Sequence, residues 1–162
     1  MSKYSIRKLT SSDTDGLLTF YRTLSENIVR FFEPFGRGND DAVRNHLAET
    51  DAGKHISIGL VGSDGAIEGH VFILSVADER PVFGIGLQEH LHGMGWGRKL
   101  ATAVLEEADD WGLPLITLTV LKTNHRAQNL YASLGFETKG EHSFRQENDS
   151  WYMERLRQRD YS

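Results

Sequence analysis

The chain has 162 residues, of which 25% are charged and 39% hydrophobic, and its formal net charge at pH 7 is -5. This composition predicts one domain over residues 1–162 with a core of ordinary size. The absence of cysteine excludes disulfides and thiolate metal sites. The acidic balance argues against nucleic acid as the main partner, because phosphate backbones select basic surfaces. The sequence has no apolar run of ~20 residues and no apolar centre of a signal peptide, so we expect a cytoplasmic protein with no membrane partner.

The first third of the sequence predicts one strand and two helices around an aromatic loop. Alternation of residue type indicates a strand at 4–9, and Ser12 or Asp13 is a candidate cap for the helix that follows. Residues 31–41 are rich in aromatic residues, proline and glycine, so they predict a loop. Residues 40–50 predict a second helix, because the two aspartates that open it suit the helix dipole.

The middle of the sequence predicts three strands. Residues 55–61 and 66–76 are joined by Gly-Ser-Asp-Gly, which is typical of a hairpin turn. Residues 81–88 predict a third strand, which contains Gly84 and Gly86. Glycine inside a strand indicates either a bulge or a place where another segment comes very close.

The last third predicts helices that alternate with strands. Apolar residues recur at helical spacing over residues 94–111, and a strand at 115–121 and a helix at 124–134 follow. The segments FETKGEHSF and WYMERL predict a closing antiparallel pair. The element order β-α-α-β-β-β-α-β-α-β-β predicts a mixed α/β domain.

Three glycines, Gly93, Gly95 and Gly97, stand where the third predicted helix begins, although glycine destabilises a helix by about 1 kcal/mol. A strand, a glycine-rich turn and a helix N-terminus together form an anion site, because unpaired N–H groups and the helix dipole converge there. Arg98 and Lys99 add positive charge in the first turn.

Several explanations of this loop remain open on its residues alone. A dinucleotide-binding turn has the spacing G-x-G-x-x-G with an acidic residue about 20 positions later, whereas here the spacing is G-x-G-x-G and Leu113 stands at that place. A nucleotide P-loop ends in Gly-Lys-Ser/Thr, which the loop lacks. A diphosphate site for coenzyme A fits the order of elements, and close packing of the helix is the explanation without a ligand.

A second segment, LTVLKTNHRAQNLYASLGFE at residues 118–137, combines Asn124, Tyr131 and a Gly-Phe exit. Together with the loop HGMGWG, it resembles the GNAT superfamily of acetyl-CoA-dependent N-acetyltransferases. That family has a Gln/Arg-x-x-Gly-x-Gly/Ala loop and, downstream, an Asn, a helical Tyr and Gly-Phe. His92 stands where Gln or Arg is usual. The resemblance covers nearly the whole chain. Within the superfamily, the chain looks most like the branch that acetylates amino acids, amino-acid-like compounds or protein N-termini.

The resemblance implies a mixed, mostly antiparallel sheet that is splayed between two central parallel strands and flanked by helices. Those two strands would be 81–88 and 115–121. Acetyl-CoA is the implied co-substrate, its pantetheine arm pairing with the splayed strand and its diphosphate lying on the glycine loop; no metal is implied. The coenzyme-binding residues implied are Ile85, Gly86, Leu87, Gly93, Met94, Gly95, Trp96, Gly97, Arg98, Asn124 and Tyr131.

The implied chemistry is direct attack of a primary amine on the thioester. By position, the N–H of Leu87 would stabilise the oxyanion and Tyr131 would protonate the leaving thiolate. Tyr131 has a core-packing role as its alternative, and Asn124 is also a candidate helix cap.

The general base remains open on the sequence. The candidates are Asp78, Glu79, Glu89, His70 and water. Thr119 stands where N-terminal acetyltransferases of ribosomal proteins tend to carry a glutamate.

The resemblance also bears on partners. The implied acceptor is a small-molecule amine or a peptide N-terminus, with Phe31, Phe32 and Phe35 either lining its pocket or packing in the core. By analogy with the family we expect a homodimer. A non-catalytic domain that senses acyl-CoA, or an interaction domain on the same fold, is the alternative to an enzyme. The pair His90 and His92 lacks a third ligand nearby, so it does not predict a metal site.

Overall fold

The computed structural model describes residues 3–36 and 38–158 and forms a seven-stranded sheet with helices on both faces. The strands are β1 (Tyr4–Lys8), β2 (Ile56–Gly62), β3 (Ile67–Leu74), β4 (Val82–Leu87), β5 (Leu115–Leu121), β6 (Glu137–His142) and β7 (Ser150–Leu156). The helices are α1 (Thr14–Arg22), α2 (Glu26–Val29), α3 (Asp40–Asp51), α4 (Trp96–Asp110) and α5 (His125–Ser133), with short 3₁₀ turns at Ser11–Asp13 and Glu89–Leu91.

The sheet is mixed and mostly antiparallel, as the sequence predicts. Its strand order is β1-β2-β3-β4-β5-β7-β6, and β4 with β5 is the parallel pair. The predicted hairpin between β2 and β3 is confirmed, and so is the closing pair of β6 and β7. The sequence predicts one helix between the first strand and the aromatic loop, whereas the structure has two, α1 and α2, because the four residues of α2 are too few for a periodic signal of their own.

The two central strands separate almost as soon as they meet. The register between β4 and β5 contains the single pair Val82 and Thr117, and the Thr117 N–H donates to the Pro81 carbonyl at 2.8 Å. By contrast, β3 follows β4 along its whole length, from Leu74 beside Val82 to Gly69 beside Leu87. Beyond Val82, a gap therefore opens between β4 and β5, and the predicted splay is present.

Different helices cover the two faces of the sheet. On one face α4 packs across β2, β3 and β4, and its fully buried Leu100, Val104 and Ala108 belong to the main core. Burial of a side chain such as Leu100 contributes about 1.5–3 kcal/mol to the free energy of unfolding. On the other face α1 packs on β3 and α3 on β2, with Leu17 and Leu47 fully buried in a second cluster. Among the described residues, none of the helices is long and apolar enough to cross a membrane.

Candidate functional site

The edge of β4 that faces the gap carries backbone groups that no strand covers. The Pro81 carbonyl points to β5, since it accepts from the Thr117 N–H. The Gln88 N–H points to β3, since it donates to the backbone carbonyl of Glu68 at 3.0 Å. Successive residues of a strand turn their N–H and C=O groups to opposite edges. Ile85 and Leu87 therefore turn these groups into the gap, where an extended, amide-rich ligand can pair with them as an added strand would.

Gly86 does not share this arrangement. It stands opposite His70 in the β3–β4 register, and the same alternation turns its N–H and C=O toward His70. A side chain at Gly86 would also collide with Phe32, whose Cε2 atom lies 2.1 Å from an ideal Cβ position. Gly86, which the resemblance implies as a coenzyme-binding residue, therefore has its backbone groups turned to β3 and not into the gap. This strand glycine marks close approach of an aromatic ring, and β3 and β4 pair without a bulge.

The glycine loop leads into α4 without a capping side chain. Gly93 and Gly95 have φ of +81° and +85°, which favour glycine, and Gly95 is the N-cap of the helix with no side-chain hydrogen bond to its amides. The first N–H groups of a helix have no partner within it. Gly97, in contrast, has no positive φ.

Close packing does not explain Gly97. An added Cβ there would meet only ordinary contacts, 3.7 Å from Leu87 and 3.9 Å from Leu130, and a Cβ at Gly95 would meet nothing within 4 Å. The protein itself therefore has room for side chains at both positions. The space above this helix N-terminus is available to a ligand, and the explanation by close helix packing loses its basis.

Positive charge surrounds the loop. No acidic residue lies in the first turn of α4, where Arg98 and Lys99 are both exposed. Arg126 of α5 reaches the loop from the other side, because its Nη2 atom lies 3.4 Å from the Cβ position of Gly93. Lys99 also lies over the ring of Trp96, at 4.5 Å. Uncapped amides and these cations together suit a diphosphate.

Helix α5 contributes the two residues of the second motif. The Asn124 side chain caps the helix by accepting from the Ala127 N–H at 3.3 Å. Tyr131 is buried, and its ring meets that of Phe83 edge-on at a centroid distance of 5.5 Å. Burial raises the pKa of Tyr131 above that of an ordinary phenol, so the hydroxyl is protonated at neutral pH.

Three segments from distant parts of the sequence therefore converge. Leu87 at the end of β4 and Leu130 of α5 flank the glycine loop at Gly97, while Tyr131 borders β4 deeper in the gap, at Phe83. The profile of the Acetyltransferase (GNAT) family matches residues 20–136, which include all three segments. The chain belongs to the GNAT acetyltransferase family. The resemblance seen in the sequence is confirmed.

One curated relative and two solved structures illustrate the similarity. The [Ribosomal protein bS18]-alanine N-acetyltransferase of Haemophilus ducreyi is 26% identical over 90 residues, which are 56% of this chain and 61% of that protein. The ribosomal-protein-S5-alanine acetyltransferase of Vibrio fischeri superposes with a TM-score of 0.82 at 14% identity, over 97% of this chain and 94% of its own. Spermidine N-acetyltransferase of Vibrio cholerae, solved with CoA and spermine, has a TM-score of 0.74 at 19% identity, over 97% of both chains. The structural similarities show the GNAT fold.

The carboxylates considered as bases lie on the segments that precede and follow β4. Asp78 and Glu79 are exposed on the turn between β3 and β4. Glu89 follows the far end of β4 and accepts from Asn27 of α2 at 2.9 Å, and this hydrogen bond lowers its pKa. Glu89 is therefore ionised at neutral pH but already has a donor.

His70 is fully buried in a chain of polar side chains beneath α1. Its Nδ1 atom lies 2.7 Å from the Tyr21 hydroxyl, and its Nε2 atom lies 2.6 Å from the Ser57 hydroxyl. Ser57 in turn lies 3.2 Å from Nε2 of His46. Burial lowers the pKa of His70 well below its usual value, so the ring is neutral. Both of its ring nitrogens already have partners inside the protein.

A cleft that the sequence did not reveal lies beside the fork, on the face opposite α4. Its lining includes Arg80, Val82, Thr117, Thr119, His142 and Tyr152. The Tyr152 hydroxyl donates to Glu154 at 2.6 Å and accepts from Arg80 at 3.1 Å. These residues escaped the sequence analysis because the pairing of β7 with β5, which brings Tyr152 opposite Thr119, has no local sequence signal.

The loop between β6 and β7 reaches across to α2. Arg145 donates at 3.2 Å both to the Val29 carbonyl and to Glu33. Asp149 fixes the loop by accepting from three consecutive N–H groups, those of residues 144–146. Burial alone would raise the pKa of Asp149, but these hydrogen bonds, with that of Ser150, lower it well below its usual value.

The three phenylalanines of the aromatic loop divide between core and surface. Phe32 and Phe35 pack against the ring of Tyr21, at centroid distances of 5.9 and 5.2 Å, whereas Phe31 is exposed. Phe32 and Phe35 therefore fit both roles, since they pack on Tyr21 and also line a cavity beside it. Across residues 3–36 and 38–158 no group of three or more His, Asp or Glu is arranged to hold a metal, and His90 instead contacts Glu68 at 3.3 Å.

Proposed function

We propose that this GNAT protein is an enzyme that transfers the acetyl group of acetyl-CoA to a primary amine by direct attack on the thioester. One observation carries the proposal. An uncapped, cation-flanked helix N-terminus adjoins a strand edge with unpaired amide groups, and Gly97 leaves room that the protein itself does not fill. A ligand in which a diphosphate is joined to an amide-rich arm binds to both features, the diphosphate to the helix N-terminus and the arm to the strand edge.

In the proposed complex the diphosphate lies on the N–H groups of residues 93–98, between Arg98 and Arg126. The pantetheine arm runs back along β4 into the gap and pairs with Leu87 and Ile85. Met94 and Trp96 border the loop, and Asn124 adds a polar side chain at the start of α5. Gly86 contributes no backbone group, since its own are paired with β3.

The thioester then lies at the deep end of the gap, near Tyr131 and Phe83. The N–H of Ile85 is closer to that end than the N–H of Leu87, so Ile85 is the better candidate for stabilising the oxyanion. The amine nitrogen forms a bond to the carbonyl carbon, the carbon–sulfur bond breaks, and Tyr131 gives its proton to the departing thiolate.

The acceptor is proposed at the level of a primary amine on a small molecule or a peptide N-terminus. The names of the relatives support both, since they specify a ribosomal-protein alanine and spermidine. A ribosomal acceptor would place the activity in the cytoplasm. A homodimer remains a prediction, and light scattering that returned the monomer mass of 18.3 kDa at micromolar concentration would contradict it.

A non-catalytic domain that senses acyl-CoA is the second candidate. Burial of Tyr131 favours it, because a phenol with a raised pKa is a weaker acid for the thiolate. Turnover distinguishes the two candidates.

The decisive experiment combines binding and turnover. Coenzyme A at about 100 times its Kd is expected to raise the free energy of unfolding by about 2.7 kcal/mol. Release of free thiol from acetyl-CoA is then measured over a panel of amino acids, polyamines, aminoglycosides and N-terminal peptides. Binding with thiol release on one class supports the enzyme, binding without release on any supports the sensor, and no binding contradicts both.

A further inference from the structure

We propose that Arg145 closes a strap over the acceptor side of the gap between β4 and β5 and thereby selects amines by size; the inference rests on the proposed acetyl transfer and concerns access to the same site. The strap is the side-chain bridge from Arg145, in the loop between β6 and β7, to α2 and the residues after it. Its Nη2 atom donates at 3.2 Å both to the Val29 carbonyl and to Glu33.

Each end of the strap is fixed to one of the two strands that border the gap. On one side, the ring of Phe32 lies over Gly86 of β4. On the other side, the N–H of Lys122, directly after β5, donates at 2.9 Å to the carbonyl of Asp149, in the loop that carries Arg145. The strap therefore crosses from β4 to β5 beyond the point where the two strands pair.

The strap lies on the face of the sheet that the coenzyme leaves free. The residue opposite Gly86 is His70, whose ring contacts α1, so Phe32 covers the face of α1. The glycine loop proposed for the diphosphate begins α4, which packs on the other face. Phe32 also rests one residue along β4 from Ile85, the proposed oxyanion donor. The strap therefore covers the thioester on the side from which an amine has to come.

The segments at the two ends of the strap keep their shape without it. Asp149 binds the three consecutive N–H groups of residues 144–146 and so fixes the loop between β6 and β7. Helix α2 is held to the end of β4 by the hydrogen bond from Asn27 to Glu89. Neither arrangement uses the side chain of Arg145, which is 48% exposed. Ion pairs this exposed contribute little to stability, so the strap opens while both segments stay in place.

A closed and an open strap suit amines of different size. Under the closed strap a small amine is held against the thioester and water is kept out, which favours a productive orientation. An amine with a long or bulky substituent needs the space that the bridge occupies, so it enters only while the strap is open. Arg145 is therefore a positioning residue, because it contacts Val29 and Glu33 and not the reacting atoms.

The test compares Arg145→Gln with Arg7→Gln. Arg7 is a matched control, since its side chain is 46% exposed and pairs with Asp13 at 2.8 Å, but it lies in β1, three strands from β4. With the best acceptor class from the panel, kcat and KM are measured for a series that is lengthened step by step away from the amine. We expect Arg145→Gln to raise KM about tenfold for the smallest acceptor, to equal or exceed the wild type with the largest, and to bind coenzyme A normally.

Glu33→Gln tests the strap from its other end. It removes the ion pair, so we expect it to change the size profile in the same direction, and it carries the test alone if Arg145→Gln does not fold. Because both changes break one bridge, the double variant is expected to be no worse than Arg145→Gln.

Each outcome decides the inference. With an active wild-type enzyme, an unchanged size profile in Arg145→Gln, or an equal loss with acceptors of every size, would overturn the strap and leave the acetyltransferase intact. The same shift in Arg7→Gln, or full additivity in the double variant, would also overturn it. If the wild-type protein binds coenzyme A but acetylates nothing in the panel, the proposed function fails, and this inference fails with it.

Discussion

The ring of Phe32 lies directly over Gly86, so closely that a Cβ on Gly86 would stand 2.1 Å from Cε2 and 2.3 Å from Cδ2. Phe32 follows the short helix α2, and Gly86 is in the central strand β4, so this contact fixes the aromatic loop against the sheet. We predict that Gly86→Ala lowers the free energy of unfolding by about 1–3 kcal/mol, because the ring has to move out of its packing. Urea denaturation measures the change.

Gly140 supplies the matched control for this prediction. It also lies in a strand, but an added Cβ there meets nothing within 4 Å, so Gly140→Ala is expected to change stability little. Combining Gly86→Ala with Phe32→Leu relieves the collision and is expected to cost less than the sum of the two single changes. Strict additivity would show that the ring does not rest on the glycine.

Gly97 gives the clearest separation between folding and coenzyme binding. An alanine there has room, and alanine is favoured over glycine in a helix by up to about 1 kcal/mol. We predict that Gly97→Ala is at least as stable as the wild type but binds coenzyme A about tenfold more weakly, because the methyl group occupies the proposed diphosphate position. Such a loss lowers the stabilisation by saturating coenzyme by about 1.4 kcal/mol.

Calorimetric titration with coenzyme A checks the affinity, and thermal unfolding without ligand checks the fold. Gly140→Ala serves again as the control, since Gly140 lies in β6, the edge strand of the sheet. An unchanged affinity in Gly97→Ala would place the diphosphate elsewhere. A large loss of stability without ligand would instead restore close packing as the reason for this glycine.

The buried histidines predict that the protein loses stability in mildly acid solution. Burial, helped by the neighbouring His55, lowers the pKa of His46 to about 4, and burial lowers that of His70 in the same direction. Below the ordinary histidine pKa of about 6.5, the unfolded chain therefore binds protons that the folded chain does not. The free energy of unfolding is expected to fall by up to about 1.4 kcal/mol per pH unit for each ring as the pH drops from about 6.5 toward 4.

Urea unfolding at about pH 7 and pH 5 measures this slope. The carboxylates with lowered pKa values, such as Glu49 beside His55, contribute mainly below this interval. His46→Leu removes one of the two rings and is expected to reduce the slope by about half. Nδ1 of His46 has no hydrogen-bond partner among the described residues. A slope that stays the same in His46→Leu would show that the carboxylates and not the histidines cause the acid sensitivity.

The features that the sequence predicted well are those with a local signal. The helix that begins at Trp96 follows from the spacing of Leu100, Val104 and Ala108, and the strand at Leu115–Leu121 agrees at both ends with its prediction. The glycine loop and the Asn124 cap were visible because turn and cap chemistry depend on residues a few positions apart.

The features that escaped prediction depend on long-range pairing. No local pattern indicates that Phe32 covers Gly86, or that His70 meets Tyr21, 49 positions away, in a buried chain of hydrogen bonds. The cleft beside the fork is of the same kind, since it forms only when β7 inserts between β5 and β6. Candidate bases chosen because they lie in or near the strand before the glycine loop, such as Glu79, are not among the residues that line it.

Tyr131 provides the last prediction, because its hydroxyl is the group proposed to protonate the thiolate. The ring packs edge-on against Phe83 and Phe136, and the described residues offer its hydroxyl no hydrogen-bond partner. Phenylalanine keeps the ring and removes the proton, so Tyr131→Phe is expected to unfold at the wild-type temperature. General-acid catalysis contributes about 10²- to 10⁴-fold, so kcat is expected to fall at least about tenfold with acetyl-CoA affinity unchanged.

The same variant distinguishes three roles of the side chain. If its turnover equals that of the wild type with the best acceptor, Tyr131 is a packing residue and the thiolate leaves unaided or takes its proton from water. If affinity for acetyl-CoA falls while kcat stays constant, the hydroxyl binds the coenzyme. If kcat falls, an acyl donor whose leaving group needs no proton should recover part of the rate in the variant, because the missing step is then no longer required. Failure of that donor to recover any rate would assign the loss to misplacement of the thioester.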